Sequence, residues 1–136
     1  WIRKGLPMRE VVWVVDDCPL TLKICKVRLR SLGADVYAMP TGRSAFGAWT
    51  SSTLPKPSAI LVNPDIHSGD GPAACQLLRD AGCGSLLLLL VDPIAAHIDP
   101  EPQRSLIDGT LIKPVSTETL ARVLEKAVAR HVKPAA

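Results

Sequence analysis

The stretch Ala59–Gly71, with the sequence AILVNPDIHSGDG, decides the fold of this chain. Its first four residues form a continuous apolar run that stops at Asn63. A polar loop then leads to Asp70, after which a helical pattern begins, so this order predicts a buried strand, a loop and a helix. In open α/β sheets the chemistry lies beyond the carboxyl ends of the strands. The residue that ends this strand therefore bears most on function, and it is an amide.

Similar apolar runs alternate with helical patterns along the rest of the chain. The other strands are predicted at Val11–Val15, Ala34–Ala38, Leu86–Val91 and Thr110–Ile112. The helices are predicted from Pro19 to a cap at Gly33, over Arg43–Trp49, over Ala73–Ala81, and after a cap at Ser116 or Thr117. This alternation is typical of an α/β fold: a doubly wound, five-stranded parallel sheet of the flavodoxin type, with right-handed crossovers.

Two helical regions carry specific expectations. In the first helix, the apolar residues at helical spacing are predicted to face the core, and these are Leu20, Ile24, Val27 and Leu32. Between the fourth and fifth strands the chain is proline-rich, with Pro93, Pro100 and Pro102. Because proline breaks helices, we expect an atypical fourth helix region: a loop, and then a short helix near Gln103–Ile107.

The 136 residues are enough for one domain, predicted at residues 10–132, between a linker at 1–9 and a tail at 133–136. The chain starts at Trp1 without an initiator methionine, so we expect it to be a fragment of a larger protein. The net charge of +3 comes without a basic stripe, which argues against binding to DNA. The longest apolar run, Leu86–Val91, is too short to span a bilayer, and no signal peptide is visible, so we expect a cytoplasmic domain without membrane contact.

Cysteine and histidine residues show no metal-binding pattern. The spacing of the four cysteines fits neither a redox motif nor a zinc finger, and they are Cys18, Cys25, Cys75 and Cys83. We therefore expect free thiols in a reducing compartment. The three histidines are predicted to be solvated side chains, and they are His67, His97 and His131.

Charged and polar residues follow the first, third and fifth predicted strands. They are Asp16 with Asp17, Asn63 and Lys113, and parallel strands bring their carboxyl ends to one rim. Adjacent carboxylates are ligands suited to Mg²⁺, and a lysine opposite can neutralise phosphate charge. In a simpler interpretation the two aspartates only favour the start of a helix, and Lys113 only keeps them from repelling each other.

This set resembles the receiver domain of two-component response regulators, a CheY-like fold, over residues 10–130. The matching motifs are Val14–Asp17, Asp70 with Gly71, and Lys113 with Pro114. The resemblance implies that Asp16 and Asp17 form the metal-binding pair and that Lys113 contacts the phosphoryl group. It places the phospho-acceptor position on Asn63, the hydroxyl switch position on Val91 and the aromatic switch position on Thr110, and it puts His67 where a loop proline is usual.

These replacements have a direct chemical meaning. A receiver aspartate attacks phosphorus with an anionic oxygen, which Asn63 lacks, so this position should not accept phosphate. The missing charge should also leave Mg²⁺ at most weakly bound. Val91 has no hydroxyl to follow a phosphoryl oxygen, and Thr110 has no ring. The sequence therefore predicts a degenerate receiver: a regulatory interaction module without enzymatic activity or a required cofactor. We expect its partners to be other domains of the same signalling protein, such as a hybrid histidine kinase.

Other functions stay open at this point. A working receiver could use Asp65 as a displaced acceptor, and the amide at Asn63 could be an engineered change. A sensor of a nucleotide second messenger, such as a cyclic dinucleotide, could use Arg43 at a helix start and Tyr37 near Arg28 or Arg30. A metal-dependent phosphohydrolase needs a carboxylate at the end of the third strand, which the chain does not offer.

Overall fold

Five short apolar runs form one parallel sheet in the computed structural model, which describes residues 9–64, 70–95 and 105–132. The strands are β1 (Val11–Val15), β2 (Asp35–Met39), β3 (Ala59–Val62), β4 (Leu86–Val91) and β5 (Gly109–Ile112). The helices are α1 (Pro19–Ser31), α2 (Gly42–Ser51), α3 (Gly71–Asp80) and α4 (Thr117–Val132). The strand order is β2-β1-β3-β4-β5 and every neighbouring pair is parallel, which confirms the predicted doubly wound sheet.

The sheet separates two apolar clusters because side chains of a strand alternate between its faces. On β1, Val12 and Val14 join the cluster formed with α1 and α4, whereas Trp13 and Val15 join the cluster formed with α2 and α3. Strands β3 and β4 are buried along their whole length, as expected for central parallel strands covered on both faces.

The orientation of α1 differs from the prediction. Leu20 and Val27 are 65% and 60% exposed, while Cys25 and Leu29 face the core, with Leu32 buried just beyond the helix. The helix is apolar on two opposite sides, so its periodicity alone did not show which side packs on the sheet. One apolar stripe of α1 therefore stays in solvent.

The connection from β4 to β5 also differs from the prediction. A short 3-10 turn occupies Pro93–Ala95, and Ser105 and Leu106 form a turn, so the helix predicted near Gln103–Ile107 is wrong over its described part. Arg79 from the end of α3 donates to the carbonyl of Leu106 at 2.9 Å and to Asp108 at 3.1 Å. Ionic and main-chain contacts fix this return to the sheet.

Several predictions fall outside the described residues. The linker and the tail do so almost entirely, as do Asp65, His67, His97 and the side chain of His131. The domain boundaries stay predictions. Among the described helices, none combines the length and the apolar character needed to cross a membrane.

Candidate functional site

Three polar residues meet at the carboxyl end of the sheet, each one step beyond a strand. The ladder of the sheet continues through them: the Asn63 amide donates to the Val15 carbonyl at 2.9 Å, and the Lys113 amide donates to the Val91 carbonyl at 2.8 Å. Asp16 follows β1 in the same way. The predicted convergence of Asp16, Asn63 and Lys113 at one rim is confirmed, and the side chains are 0%, 4% and 8% exposed.

Asp16 is the centre of this rim. Its Oδ1 accepts hydrogen bonds from Asn63 Nδ2 at 3.1 Å and from the Cys18 amide at 3.0 Å. Its Oδ2 lies 2.6 Å from Lys113 Nζ and accepts no hydrogen bond from other described residues. Lys113 is also 3.8 Å from the exposed Asp92, a rim residue that the sequence did not single out. The prediction that Lys113 pairs with Asp16 or Asp17 is thus confirmed for Asp16.

The remaining predicted site residues surround this centre. Asp17 is half-buried between β1 and α1. Val91 is buried at the end of β4, where it lies in register with Ile112, and Thr110 is exposed on β5 in register with Leu89. Neither Val91 nor Thr110 supplies the hydroxyl or the ring that the resemblance assigns to its position.

The described residues fit a magnesium ion poorly. Within residues 9–64, 70–95 and 105–132 no group of three acidic, histidine or cysteine side chains is placed to hold a metal. Both oxygens of Asp16 are engaged, one of them by an ammonium group, and Asn63 turns an N–H donor toward it. Magnesium needs oxygen lone pairs at near-ideal octahedral positions, which this arrangement does not present.

Asp70 closes the N-terminus of α2. Its Oδ1 accepts from the Gly42 amide and its Oδ2 from the Arg43 amide, both at 2.9 Å. Gly71 packs so closely under the site that a Cβ there would lie 2.6 Å from the Asn63 carbonyl oxygen. The anion position at the start of α2 is therefore filled by the chain itself.

The structure separates some of the residues named for a nucleotide site. Arg43 is exposed, but Asp70 occupies the helix terminus beside it. Tyr37 packs against the cluster on the α2 and α3 face, whereas Arg28 and Arg30 belong to α1 on the opposite face. Arg28 donates to the Val115 carbonyl at 2.6 Å. The arginines of α1 thus lie on the opposite face of the sheet from Tyr37, which the prediction missed because the sequence did not show which face each helix covers.

A groove of about 400 Å³ adjoins the rim and was missed by sequence reasoning. Leu20 and Ile24 of α1 form one wall, and Pro114 and Val115 form the other, with Lys113 at its end. Cys18 also lines it, and hydrogen bonds from Thr21 lower the pKa of this thiol. All four cysteines are free, as predicted. The sequence of α1 does contain a sign of this groove, because the helix has apolar residues on two opposite sides and only one of them can pack on the sheet.

Comparisons with known proteins agree with this architecture. No family model matches the chain. The sensor protein GacS of Pseudomonas syringae pv. syringae is 30% identical to it over 121 residues, which cover 85% of this chain and 13% of GacS. The chain thus spans only a small part of that relative.

Solved structures share the fold. The signal receiver domain of a modulated diguanylate cyclase from Desulfovibrio desulfuricans G20 superposes with a TM-score of 0.74 at 25% identity, over 93% of this chain and 100% of that one. A CheY-like response regulator receiver domain from Methylobacillus flagellatus gives a TM-score of 0.75 at 19% identity, over 88% and 99%.

The chain has the fold of CheY-like receiver domains, and β1, β3 and β5 present Asp16, Asn63 and Lys113 at one rim. More particularly, its sequence is similar to a segment of a sensor protein, and its structure is similar to a signal receiver domain.

Proposed function

We propose that this receiver domain is a pseudo-receiver: a regulatory interaction module that is not phosphorylated at its acceptor position. One observation carries the proposal. The acceptor position at the end of β3 holds the amide of Asn63, which is buried and donates to Asp16. A nucleophile for phosphorus needs an available electron pair on an oxygen anion, and an amide has none.

The rest of the rim supports this function. Lys113, the group that would contact a phosphoryl oxygen, is engaged by Asp16 at 2.6 Å. Val91 and Thr110 lack the groups through which phosphorylation would be transmitted. The proposal therefore includes no enzymatic activity of the domain itself, no required cofactor and at most weak binding of Mg²⁺.

We propose other domains of the same signalling protein as its partners, for example in a hybrid histidine kinase. The similarity to a segment of GacS, a sensor protein of much greater length, supports this choice. The four free cysteines fit the reducing cytoplasm that we propose as its location. Contact with DNA or with a membrane is not part of the proposal.

The exposed side of α1 is the surface that we propose for docking. Leu20, Ile24 and Val27 form one stripe along it, which we call the α1 stripe, and two of them also line or border the groove beside the rim. The helix contains no acidic residue, and the cations that flank the stripe are Lys23, Lys26 and Arg30. Within the described part of the chain, none of these cations forms an ion pair. An amphipathic helix with an acidic flank is complementary to this surface.

A synthetic amphipathic peptide tests the docking surface. Its apolar face carries leucines and its flank carries glutamates, and the control peptide has lysines in place of the glutamates. We expect binding of the acidic peptide alone, measured by fluorescence anisotropy, and its loss in Leu20→Glu. Equal binding of both peptides would contradict the proposal that the cations beside the α1 stripe select an acidic partner.

Phosphoryl transfer tests the main proposal. The protein and its Asn63→Asp variant are incubated with acetyl phosphate and Mg²⁺, and intact masses are recorded. We expect no change in the protein and a gain of one hydroxylamine-sensitive phosphoryl group in the variant, because an acyl phosphate is labile to that nucleophile. Labelling of the unchanged protein would overturn the proposal. If neither is labelled, the loss of activity does not reside in Asn63 alone, and that assignment fails.

A further inference from the structure

The rim of this protein contains a cation of its own. We infer that Lys113 is the resident counter-ion of Asp16 and that it masks a divalent-cation site, which Asn63 keeps closed. The inference deepens the proposed function and rests on it, because it explains how a receiver rim without a phospho-acceptor balances the charge of its buried aspartate.

The geometry around Asp16 carries the first step. The carboxylate is fully buried, and its Oδ2 has the ammonium of Lys113 at 2.6 Å as its one described partner. Lys113 is itself 8% exposed, so solvent screens this pair little. An ion pair in such a place is held strongly, since either charge alone would be buried without compensation. A divalent cation must displace Lys113 before it can reach this oxygen.

The amide of Asn63 carries the second step. It occupies Oδ1 of Asp16 as a donor at 3.1 Å, so that both oxygens of the carboxylate are engaged. An aspartate at position 63 would instead place a second carboxylate against Asp16, next to Asp17. One lysine cannot neutralise these charges, and like charges this close cannot all stay ionised without a further cation. With the neutral amide of Asn63 at this position, the single positive charge of Lys113 is enough to balance Asp16.

Two substitutions should therefore open the site. Asn63→Asp adds a negative charge that Lys113 cannot compensate. Lys113→Met removes the resident cation and leaves an unbranched side chain that is one atom shorter. In both variants carboxylate oxygens lack a partner, and Mg²⁺ can supply the missing charge. Arg122→Met is the matched control, because it also removes one cation but from an exposed pair with Glu118.

Thermal unfolding in the presence of Mg²⁺ tests the inference. Unfolding is followed by the fluorescence of the buried Trp13, in millimolar MgCl₂ and in KCl of the same ionic strength. Ligands that bind the folded state raise the melting temperature. We expect a difference below about 1 °C between the two salts for the protein and for Arg122→Met. Asn63→Asp and Lys113→Met should melt lower in KCl and regain several degrees in MgCl₂.

The outcomes are separable. A saturable rise in the melting temperature of the unchanged protein with MgCl₂ overturns the inference, because its site is then open. The inference is also overturned if Asn63→Asp folds but has the same melting temperature in MgCl₂ and in KCl. This outcome decides the question even if Lys113→Met fails to fold. The first result would also contradict the weak binding of Mg²⁺ expected under the proposed function, whereas the second would not. The absence of phosphorylation itself is contradicted if the unchanged protein accepts a phosphoryl group.

Discussion

Two charge clusters lie at opposite ends of this sheet, and they are built differently. At the carboxyl end, Asp16 is fully buried and is balanced by Lys113. At the amino end, Asp108 is 28% exposed and is bound by two guanidinium groups, from Arg79 at 3.1 Å and from Arg130 at 2.9 Å. The first cluster joins side chains at three strand ends. The second connects side chains to main-chain groups near the starts of β4 and β5.

The arginine network shows what a structural charge cluster looks like. Arg79 also donates to the carbonyls of Cys83 and Ser85 at 2.8 Å, and Asp108 accepts from the Leu87 amide at 2.8 Å. These contacts hold the chain where it returns to β5. At the rim, the buried charge of Asp16 is compensated directly by the ammonium group of Lys113. The difference fits the function that we propose for the rim, while the contacts at the other end hold main-chain segments together.

The largest effect is expected when the rim pair is broken. Lys113→Met leaves the buried Asp16 without a cation, and removing one partner of a buried pair costs about 3–5 kcal/mol. Urea unfolding followed by tryptophan fluorescence measures this loss. Arg122→Met, from the exposed pair with Glu118, should change stability by less than about 1 kcal/mol. Equal losses of unfolding free energy in the two variants would mean that the pair of Lys113 and Asp16 contributes no more than a solvent-exposed pair.

A smaller effect is expected at the other end of the sheet. Asp108→Ala removes acceptors for the Leu87 amide and for two arginines, and hydrogen bonds to charged groups contribute about 1.5–3 kcal/mol. Because Asp108 is partly exposed, we expect a loss near the lower end of that range in the same urea experiment. Asp108→Asn keeps an acceptor for the amide and should lose less. A loss larger than that of Lys113→Met would reverse the comparison.

The two ends should also differ in their response to acid. Burial works against ionisation of Asp108, but the hydrogen bonds from the Leu87 amide and Arg130 outweigh it and hold the pKa of this carboxyl below its usual range. A carboxyl whose pKa is lowered by folding stabilises the protein above its unfolded pKa, about 4, and this stabilisation is lost as the pH falls further. Unfolding free energies measured between pH 5 and pH 3 should therefore fall less steeply in Asp108→Asn. Identical slopes would exclude this contribution.

Thiol reactivity gives the mildest probe of the two ends. Cys18 at the rim is half-buried and its pKa is lowered by hydrogen bonds from Thr21, so it should react first with iodoacetamide. Cys83, near the arginine network, is buried, and burial raises the pKa of Cys25 and Cys75 to about 11. Mass spectrometry should show one fast adduct, absent in Cys18→Ser. A fast second adduct on Cys83 would show that the structure around the arginine network unfolds locally.

The sheet was predictable from sequence because its central strands are continuous apolar runs. The run Leu86–Val91 is buried along its whole length, and the polar residues that end such runs, Asp16, Asn63 and Lys113, were located at one rim from their order alone. The cap of the last helix was also predicted, since Ser116 Oγ accepts from the Thr119 amide at 3.1 Å.

The remaining features depend on which face an element packs against, and periodicity does not encode that. The same helical spacing fits Leu20 with Val27, which are exposed, and Cys25 with Leu29, which are buried. Contacts of side chains with distant main chain leave no pattern in the sequence either. Arg79 with the Leu106 carbonyl is one example, and the carboxylate of Asp70 at the start of α2 is another.

The proposal that the acceptor position does not take up a phosphoryl group is tested most directly by ¹⁹F NMR with beryllofluoride and Mg²⁺. Together these mimic a phosphoryl group bound to a carboxylate. The account predicts only free-fluoride and free-beryllofluoride signals for the protein, and additional bound signals for Asn63→Asp. Bound signals in the unchanged protein that vanish on chelation of Mg²⁺ would contradict it.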